Sequence, residues 1–197
     1  MGFLARTLKF LIALVLTAAV VLWFAARRGD RGYIQEEISI DRGAPVVFRW
    51  ITSDELLQRW ISDVIKLEKG GSTGPAAQVS SDYRLEEYVA GQPVAFDVKI
   101  LRATPNQEVD LVLKAPAGSA SSFISDANFK LFPDGDYTRV VFTSQTKFYS
   151  LSDQIFEPIL TYATRRKLRD DLSRLKILVE AEAATPPEVR GHAKSPR

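Results

Sequence analysis

The chain begins with a long apolar segment and then changes to shorter, alternating patterns. Seventeen residues without a charge run from Phe10 to Ala26, which is the short end of the length that a membrane-spanning helix needs. Lys9 and Arg27 flank this segment and can lengthen it by snorkelling, and Trp23 suits the membrane–water interface. We therefore expect residues 10–26 to be an uncleaved single-pass anchor, within an N-terminal anchor and spacer of residues 1–32.

Two properties of this segment stay open. A cleaved signal peptide is the alternative, because a cut after Ala19 would place the small residues Thr17 and Ala19 before the cleavage site. Such a cut would leave the apolar stub VVLWFAA on the chain. Lys and Arg residues lie on both sides of the segment, so the positive-inside rule does not decide which side of the membrane carries the rest of the chain.

After the spacer the pattern predicts one strand and two short helices. Residues 33–40 alternate between apolar and polar positions, which is typical of a strand. Pro45 suits the first turn of a short helix over residues 45–51, and the sequence TSDE before residues 56–60 resembles a capping box that opens a second one. We expect Trp50 and Trp60 to anchor these helices against a core.

Six further strands follow the two helices. Their predicted ranges are 63–69, 82–89, 94–102, 108–114, 122–132 and 137–149. The breaks between them are rich in Gly, Pro, Asn and Asp, which favour turns, and short connections favour antiparallel hairpins in sequence order. The clear alternation in the later strands leaves one apolar face, which another element has to cover.

The last long element is the predicted cover. Ser152 can cap a helix that continues to about Ala183, with Pro158 tolerated near its start. The apolar positions recur at intervals of three, four or occasionally six residues and predict one amphipathic stripe; they are Ile155, Ile159, Tyr162, Leu168, Leu172, Leu175 and Val179. Residues 184–197 are predicted to be a disordered tail.

Composition and charge exclude several classes of function. Residues 33–183 hold 18 basic and 22 acidic side chains, which does not favour a nucleic-acid-binding face. The chain has no cysteine, and its single histidine, His192, lies in the predicted tail. This excludes Ser/His/Asp catalysis, a thiolate zinc site and a Cys nucleophile. We assign no catalytic residue, no metal ligand and no cofactor.

The order of elements resembles the SRPBCC, or START-like, helix-grip superfamily, which includes START lipid-transfer domains, plant pathogenesis-related allergens, polyketide cyclases and coenzyme-Q-binding proteins. The opening EISIDRGAPVVFRWITSDELLQRW is similar to the first strand and paired helices of that superfamily. LEKGGSTGPA is similar to its Gly-rich loop, and RRKLRDDLSRLKILVE to the end of its long helix. The resemblance covers residues 33–183 and implies an α+β helix-grip domain, with a curved seven-stranded antiparallel sheet wrapped around the long helix.

The resemblance also implies an elongated apolar cavity that holds a hydrophobic small molecule. The residues that we expect to line it are Phe96, Val98, Leu111, Phe123, Phe129, Phe142, Ser144 and Thr146 on the strands, and Ile159 and Tyr162 on the helix. A wall that is mainly apolar with a few hydroxyl groups suits an amphipathic ligand. The alternative is that the same faces close on one another as a filled core.

Three local features each keep two interpretations. Glu36 shares a face with apolar residues of the first strand, so it is either a buried acid or a carboxylate at the strand end in water. Residues 70–74 form either a lid beside the pocket or a flexible hairpin. The basic run at residues 165–169 is either a patch that faces anionic lipid or a helix face paired with Asp170 and Asp171 at i,i+4 spacing.

We therefore expect a membrane-anchored helix-grip domain that binds a hydrophobic or lipid-like small molecule in an internal cavity. Its expected partners are that molecule and the membrane, and nucleic acid is not among them. Two alternatives remain. The domain could be a polyketide-cyclase-like or dehydratase-like enzyme that uses the same pocket, or a ligand-free domain that docks a protein.

Overall fold

Seven strands, two short helices and one long helix build the fold. The computed structural model describes residue 12 and residues 14–17, 32–69, 82–89, 92–116, 119 and 122–182. In chain order the elements are β1 (Tyr33–Ile40), α1 (Ala44–Thr52), α2 (Asp54–Trp60), β2 (Val64–Lys69), β3 (Asp82–Val89), β4 (Gln92–Thr104), β5 (Glu108–Lys114), β6 (Phe123–Asp134), β7 (Tyr137–Phe148) and α3 (Leu151–Glu182). Each strand and helix predicted between residues 33 and 183 is confirmed with a shift of at most two residues at its ends.

The strands form a single antiparallel sheet in the order β1-β7-β6-β5-β4-β3-β2. Strands β2 to β7 pair with their neighbours in the sequence, as predicted, while β1 pairs with β7. The register of β4 against β5 shifts between Ile100 and Arg102. A bulge of this kind bends a strand and increases its twist, which helps the sheet to curve around α3.

One end of the apolar inner face of the sheet is filled by a packed core. Trp50 and Trp60 are almost fully buried there, and the Trp60 indole N–H donates to the Trp50 carbonyl at 3.0 Å. The Trp50 indole N–H in turn donates to Glu182 Oε2 at 2.6 Å, which ties α1 to the end of α3. The prediction that both tryptophans anchor the short helices is confirmed.

Only the second half of α3 follows the predicted apolar stripe. Its buried or half-buried members pack on the core, as predicted: Leu168, Leu172, Leu175 and Val179. The first three members are about half to two-thirds exposed, so the prediction is wrong for them: Ile155, Ile159 and Tyr162. The cause is the six-residue step from Tyr162 to Leu168, which turns a helix of 3.6 residues per turn by about 600° and so misaligns the two groups by roughly 120°.

The helix caps also differ from the prediction. Ser150, rather than Ser152, caps α3, because the Asp153 amide donates to Ser150 Oγ at 3.0 Å. At the start of α2, Ser53 stands at the N-cap position, but its side chain makes no capping hydrogen bond with the described residues. The predicted capping box is therefore wrong in its contacts, and the helix begins at Asp54, two residues before the predicted start.

Several predictions concern residues outside the described ranges. Of residues 10–26, the structure describes Ile12 and residues 14–17, which are helical. In the described ranges, no helix combines the length and the apolar character that crossing a bilayer requires. The Gly-rich stretch 70–74 and the tail 184–197 also lie outside these ranges, so the anchor, the lid and the tail stay predictions.

Candidate binding site

Three phenylalanines form a row across the inner face, beyond the packed core. The ring centroids of Phe96 and Phe123 are 5.9 Å apart, and those of Phe123 and Phe148 are 6.3 Å apart. These residues come from β4, β6 and β7 and are all half-buried. We call them the aromatic row. Half-exposed aromatic rings on the concave side of a sheet provide a surface for an apolar ligand.

Hydroxyl groups lie next to the aromatic row on β6 and β7. Ser125 is opposite Thr146 in the register, and the Thr146 hydroxyl donates to Ser125 Oγ at 2.9 Å. Ser144 lies two residues before Thr146 on β7, and Ser125 and Ser144 are each only 7% exposed. A few buried polar atoms on an apolar wall can orient the polar end of an amphipathic ligand.

The ten residues that the sequence suggested as cavity lining fall into three groups. Four belong to the packed core or pack against it: Val98, Leu111, Phe129 and Phe142. Four lie on the inner face outside that core: Phe96, Phe123, Ser144 and Thr146. Two are exposed on the first half of α3: Ile159 and Tyr162. Alternation could not separate the first two groups, because a filled core and an open wall share the same two-residue period.

Glu87 is a candidate residue that sequence reasoning missed. It lies two residues beyond Leu85, which pairs with Phe96 of the aromatic row, and its side chain is 14% exposed. Lys167 Nζ of α3 is 3.3 Å from Glu87 Oε2 and 2.8 Å from Asp171 Oδ2. The signal was present in the sequence, since alternation along β3 puts Glu87 on the same face as Leu85.

Burial and the neighbouring charges together set the pKa values of Glu87 and Lys167. Burial raises the pKa of Glu87, and the charge and hydrogen bond of Lys167 offset this only in part. Burial alone would lower the pKa of Lys167, but the hydrogen bond to Asp171 and the charge of Glu87 outweigh it, so the pKa of Lys167 is raised. Glu87 thus holds its proton to a higher pH than an exposed glutamate, beside an ammonium that stays charged. An acid of this kind can act in proton transfer.

A depression of about 330 Å³ opens beside this pair, between α3 and the turn that follows α2. We call it the opening, and its lining residues are Ser62, Asp63, Tyr162, Ala163, Arg166, Lys167 and Asp170. The backbone of Asp63 has a φ of 62°, and its carbonyl accepts a hydrogen bond from the Tyr88 amide at 3.0 Å. The opening therefore lies between the exposed side of α3 and Asp63, whose carbonyl binds the amide of the residue after Glu87.

A larger depression of about 540 Å³ includes polar side chains of the outer face. These side chains bind one another: Arg102 Nε donates to Asp110 Oδ2 at 2.8 Å, and the Asn128 amide donates to the other oxygen of the same carboxylate. The Asn128 amide oxygen is buried and has no partner among the described residues, so this depression keeps one polar acceptor. We place the candidate site on the inner face because the aromatic row, which suits a hydrophobic ligand, lies there.

Polar contacts hold the middle of α3 along β1. Arg169 donates to both carboxylate oxygens of Glu36, at 3.1 and 3.0 Å, and Arg165 Nε lies 3.7 Å from the same group. Glu36 is therefore a largely buried carboxylate paired with arginine. Of the two pairs predicted within the helix, Lys167 with Asp171 is present, and Arg166 with Asp170 is not found among the described residues. Arg165 and Arg169 of the same basic run bind Glu36 of β1 instead.

Comparison with known proteins identifies the fold. The sequence matches no protein-family model and no curated protein. Among solved structures, it is similar to the ZhuI aromatase/cyclase from Streptomyces sp. R1128, with 14% identity and a TM-score of 0.65 over 77% of this chain and 94% of that chain. A START superfamily protein from Mycobacterium smegmatis is similar with 15% identity and a TM-score of 0.59, over 76% of this chain and 98% of that one.

A third similar structure is that of Ara h 8.0201, with 13% identity and a TM-score of 0.58 over 76% of this chain and 97% of that chain. Identities this low establish the fold and not the activity. Together with the seven-stranded antiparallel sheet and the long C-terminal helix, they confirm the resemblance found in the sequence: this chain has the SRPBCC, or START-like, helix-grip fold.

Proposed function

We propose that this chain binds a hydrophobic, amphipathic small molecule between the aromatic row and the first half of α3. The observation that carries the proposal is the division of the inner face. One end is filled by the tryptophans and the second half of α3, whereas the rings of Phe96, Phe123 and Phe148 stay half-buried. An apolar ligand would cover those rings, and the hydroxyl groups of Ser125 and Thr146 would face its polar end.

The proposal includes a membrane anchor at residues 10–26. Seventeen residues without a charge support it, and the fold supports the ligand class through the resemblance to lipid-transfer domains. A tether raises the effective concentration of a binding pocket next to a ligand that is dissolved in the bilayer. This would explain why a helix-grip domain carries an apolar N-terminal segment.

Binding by delipidated full-length chain tests the proposal. We expect one member of a panel of lipids and quinones to bind saturably at a ratio of one molecule per chain. Phe123→Ala should weaken that binding by roughly tenfold or more, because a large part of the aromatic contact is lost. The matched control is Phe132→Ala, on the outer face of the same strand, where the ring packs 4.6 Å from the Arg139 guanidinium. An absence of saturable binding across the whole panel would contradict the proposal.

Glu87 favours an enzyme as a second candidate. Its raised pKa and its position on the inner face, opposite Val94 and two residues from the partner of Phe96, suit a proton donor in a cyclase-like or dehydratase-like reaction inside the same pocket. The replacement Glu87→Gln keeps the shape and removes the acid. If the pocket is catalytic, this variant should bind ligand normally but lose turnover, whereas unchanged turnover would leave binding as the only role.

A further inference from the structure

The first half of α3 presents an apolar surface away from the sheet. Ile155, Ile159 and Tyr162 lie at i, i+4 and i+7, so they share one stripe of the helix, and they are 49%, 65% and 68% exposed. Phe156 extends the stripe sideways and is 55% exposed. Several large apolar side chains exposed together mark an interaction surface on a soluble domain.

A positive charge continues the same stripe. Arg166 follows Tyr162 by four residues, is exposed, and makes no salt bridge with the residues that the structure describes. Its neighbour Arg165 is also exposed but is partly engaged, since it lies 3.7 Å from Glu36. A stripe of apolar side chains that ends at an unpaired arginine suits the boundary of a bilayer, where the apolar side chains contact acyl chains and the arginine contacts anionic headgroups.

The start of the domain is attached to the same part of α3. The Gly32 amide donates to Glu157 Oε1 at 2.8 Å, and Arg165 donates to the Tyr33 carbonyl at 3.3 Å. Only residues 27–31 separate Gly32 from the apolar segment that ends at Ala26. Because an extended chain spans at most about 3.6 Å per residue, this spacer keeps Gly32 within roughly 20 Å of the end of that segment.

We propose that these exposed side chains of α3 lie on the surface of an anionic lipid bilayer. We call them the docking patch: Ile155, Phe156, Ile159, Tyr162 and Arg166. The inference rests on the proposed membrane anchor, which would bring the patch to the bilayer, and it adds an orientation to that proposal. Tyr162 and Arg166 also line the opening beside Lys167. Docking therefore turns the opening toward the lipid.

The absence of cysteine from the chain allows a test with single labels. Full-length Ile159→Cys would be labelled with the fluorophore NBD and reconstituted in phosphatidylcholine vesicles, with and without phosphatidylglycerol. The matched control is Ile177→Cys, on the same helix, 66% exposed, and about 27 Å further along the axis at 1.5 Å per residue. Quenching by nitroxide-labelled phosphatidylcholine reports contact with lipid.

We expect a blue shift and lipid quenching at position 159, stronger with phosphatidylglycerol, and neither at position 177. Arg166→Gln in the Ile159→Cys background should lower the ratio of docked to undocked chains by roughly fivefold in anionic vesicles, the factor for one surface charge. Equal signals at the two positions would overturn the proposal. A blue shift without lipid quenching would also overturn it, because the patch would then be covered by residues 10–26 or by a second copy of the chain.

Alkaline carbonate extraction of the same vesicles separates this test from that of the anchor. Chains that resist extraction but show no quenching at position 159 retain the proposed anchor and refute docking. Chains that are extracted but show quenching at position 159 before extraction support docking and refute the anchor. Ligand binding, measured with the lipid and quinone panel, is independent of both results.

Discussion

The Gly32 amide donates to Glu157 Oε1 at 2.8 Å across 125 positions of sequence. The carbonyl of Gly32 accepts a second hydrogen bond, at 2.9 Å, from the amide of Thr146. The Thr161 hydroxyl donates to the same Glu157 oxygen at 2.9 Å. Gly32 thus joins the start of β1, the end of β7 and the first half of α3 at the edge of the candidate site.

Replacement of Gly32 by alanine should destabilise the domain. Gly32 has a φ of +67°, and an added Cβ would lie 2.3 Å from the Thr146 carbonyl oxygen. Backbone strain and overpacking together should lower the free energy of unfolding by about 2–4 kcal/mol. Urea denaturation followed by tryptophan fluorescence measures this. The control is Gly135→Ala, which has a φ of +59° but open space around it and should cost only about 1 kcal/mol; equal costs would contradict the close contact at Gly32.

Truncation of Leu175 should be costly because it lies in the packed half of α3. Leu175 is fully buried, and removing a buried leucine side chain lowers the free energy of unfolding by about 2–5 kcal/mol. Ile177→Ala, two residues away and 66% exposed, should change it by less than about 0.5 kcal/mol. Thermal or urea denaturation of the two variants distinguishes them. A similar loss for both would mean that the helix is rotated relative to the sheet.

The indole of Trp60 should contribute through its hydrogen bond as well as its volume. Trp60→Phe removes the donor to the Trp50 carbonyl and leaves a buried acceptor without a partner, at a cost of about 1–3 kcal/mol. Trp60 also packs edge-on to Phe129, with ring centroids 6.3 Å apart, a contact that phenylalanine can retain. A free energy of unfolding equal to that of the original chain would contradict this role.

The pH dependence of stability should report the burial of Glu87. Because its pKa in the folded state is raised above the ordinary 4.5, Glu87 contributes stability that is full below that value and is lost as the pH rises through the folded pKa. Glu87→Gln removes this loss. The difference in free energy of unfolding, variant minus original, should therefore increase with pH from about 4 toward neutrality.

The control for that experiment is Glu86→Gln, on the opposite face of β3, which makes the same change in net charge away from the aromatic row. Lys167 stays charged throughout this range, since its pKa is raised from 10.5. A difference between Glu87→Gln and the original chain that is flat or falls with pH would show that Glu87 is not buried beside the aromatic row.

The strand pattern could be predicted from sequence because alternation is a local property. The two-residue period places Phe96, Phe123 and Thr146 on the inner face whatever the tertiary packing. The same pattern cannot tell how far the helix covers that face. Phe129 and Phe123 look equivalent in sequence, yet Phe129 contacts Trp60 and Phe123 lies beyond the core.

The helix shows why the rest of the site escaped prediction. The predicted stripe of seven apolar residues contains one interval of six residues, from Tyr162 to Leu168. Only intervals of three or four residues keep side chains on the same face of a helix. Contacts between distant residues are a second reason. The approach of Lys167 to Glu87 and of Arg169 to Glu36 depends on how α3 crosses the sheet, and no local pattern encodes that crossing.

Native mass spectrometry of the full-length chain, released from detergent micelles and followed by organic extraction, tests whether the inner face holds a ligand. We expect one discrete bound mass per chain, from an extractable hydrophobic molecule, which Phe132→Ala retains and Phe123→Ala holds at much lower occupancy. A chain that shows only its own mass, even after incubation with the lipid and quinone panel, would contradict a ligand site on the inner face.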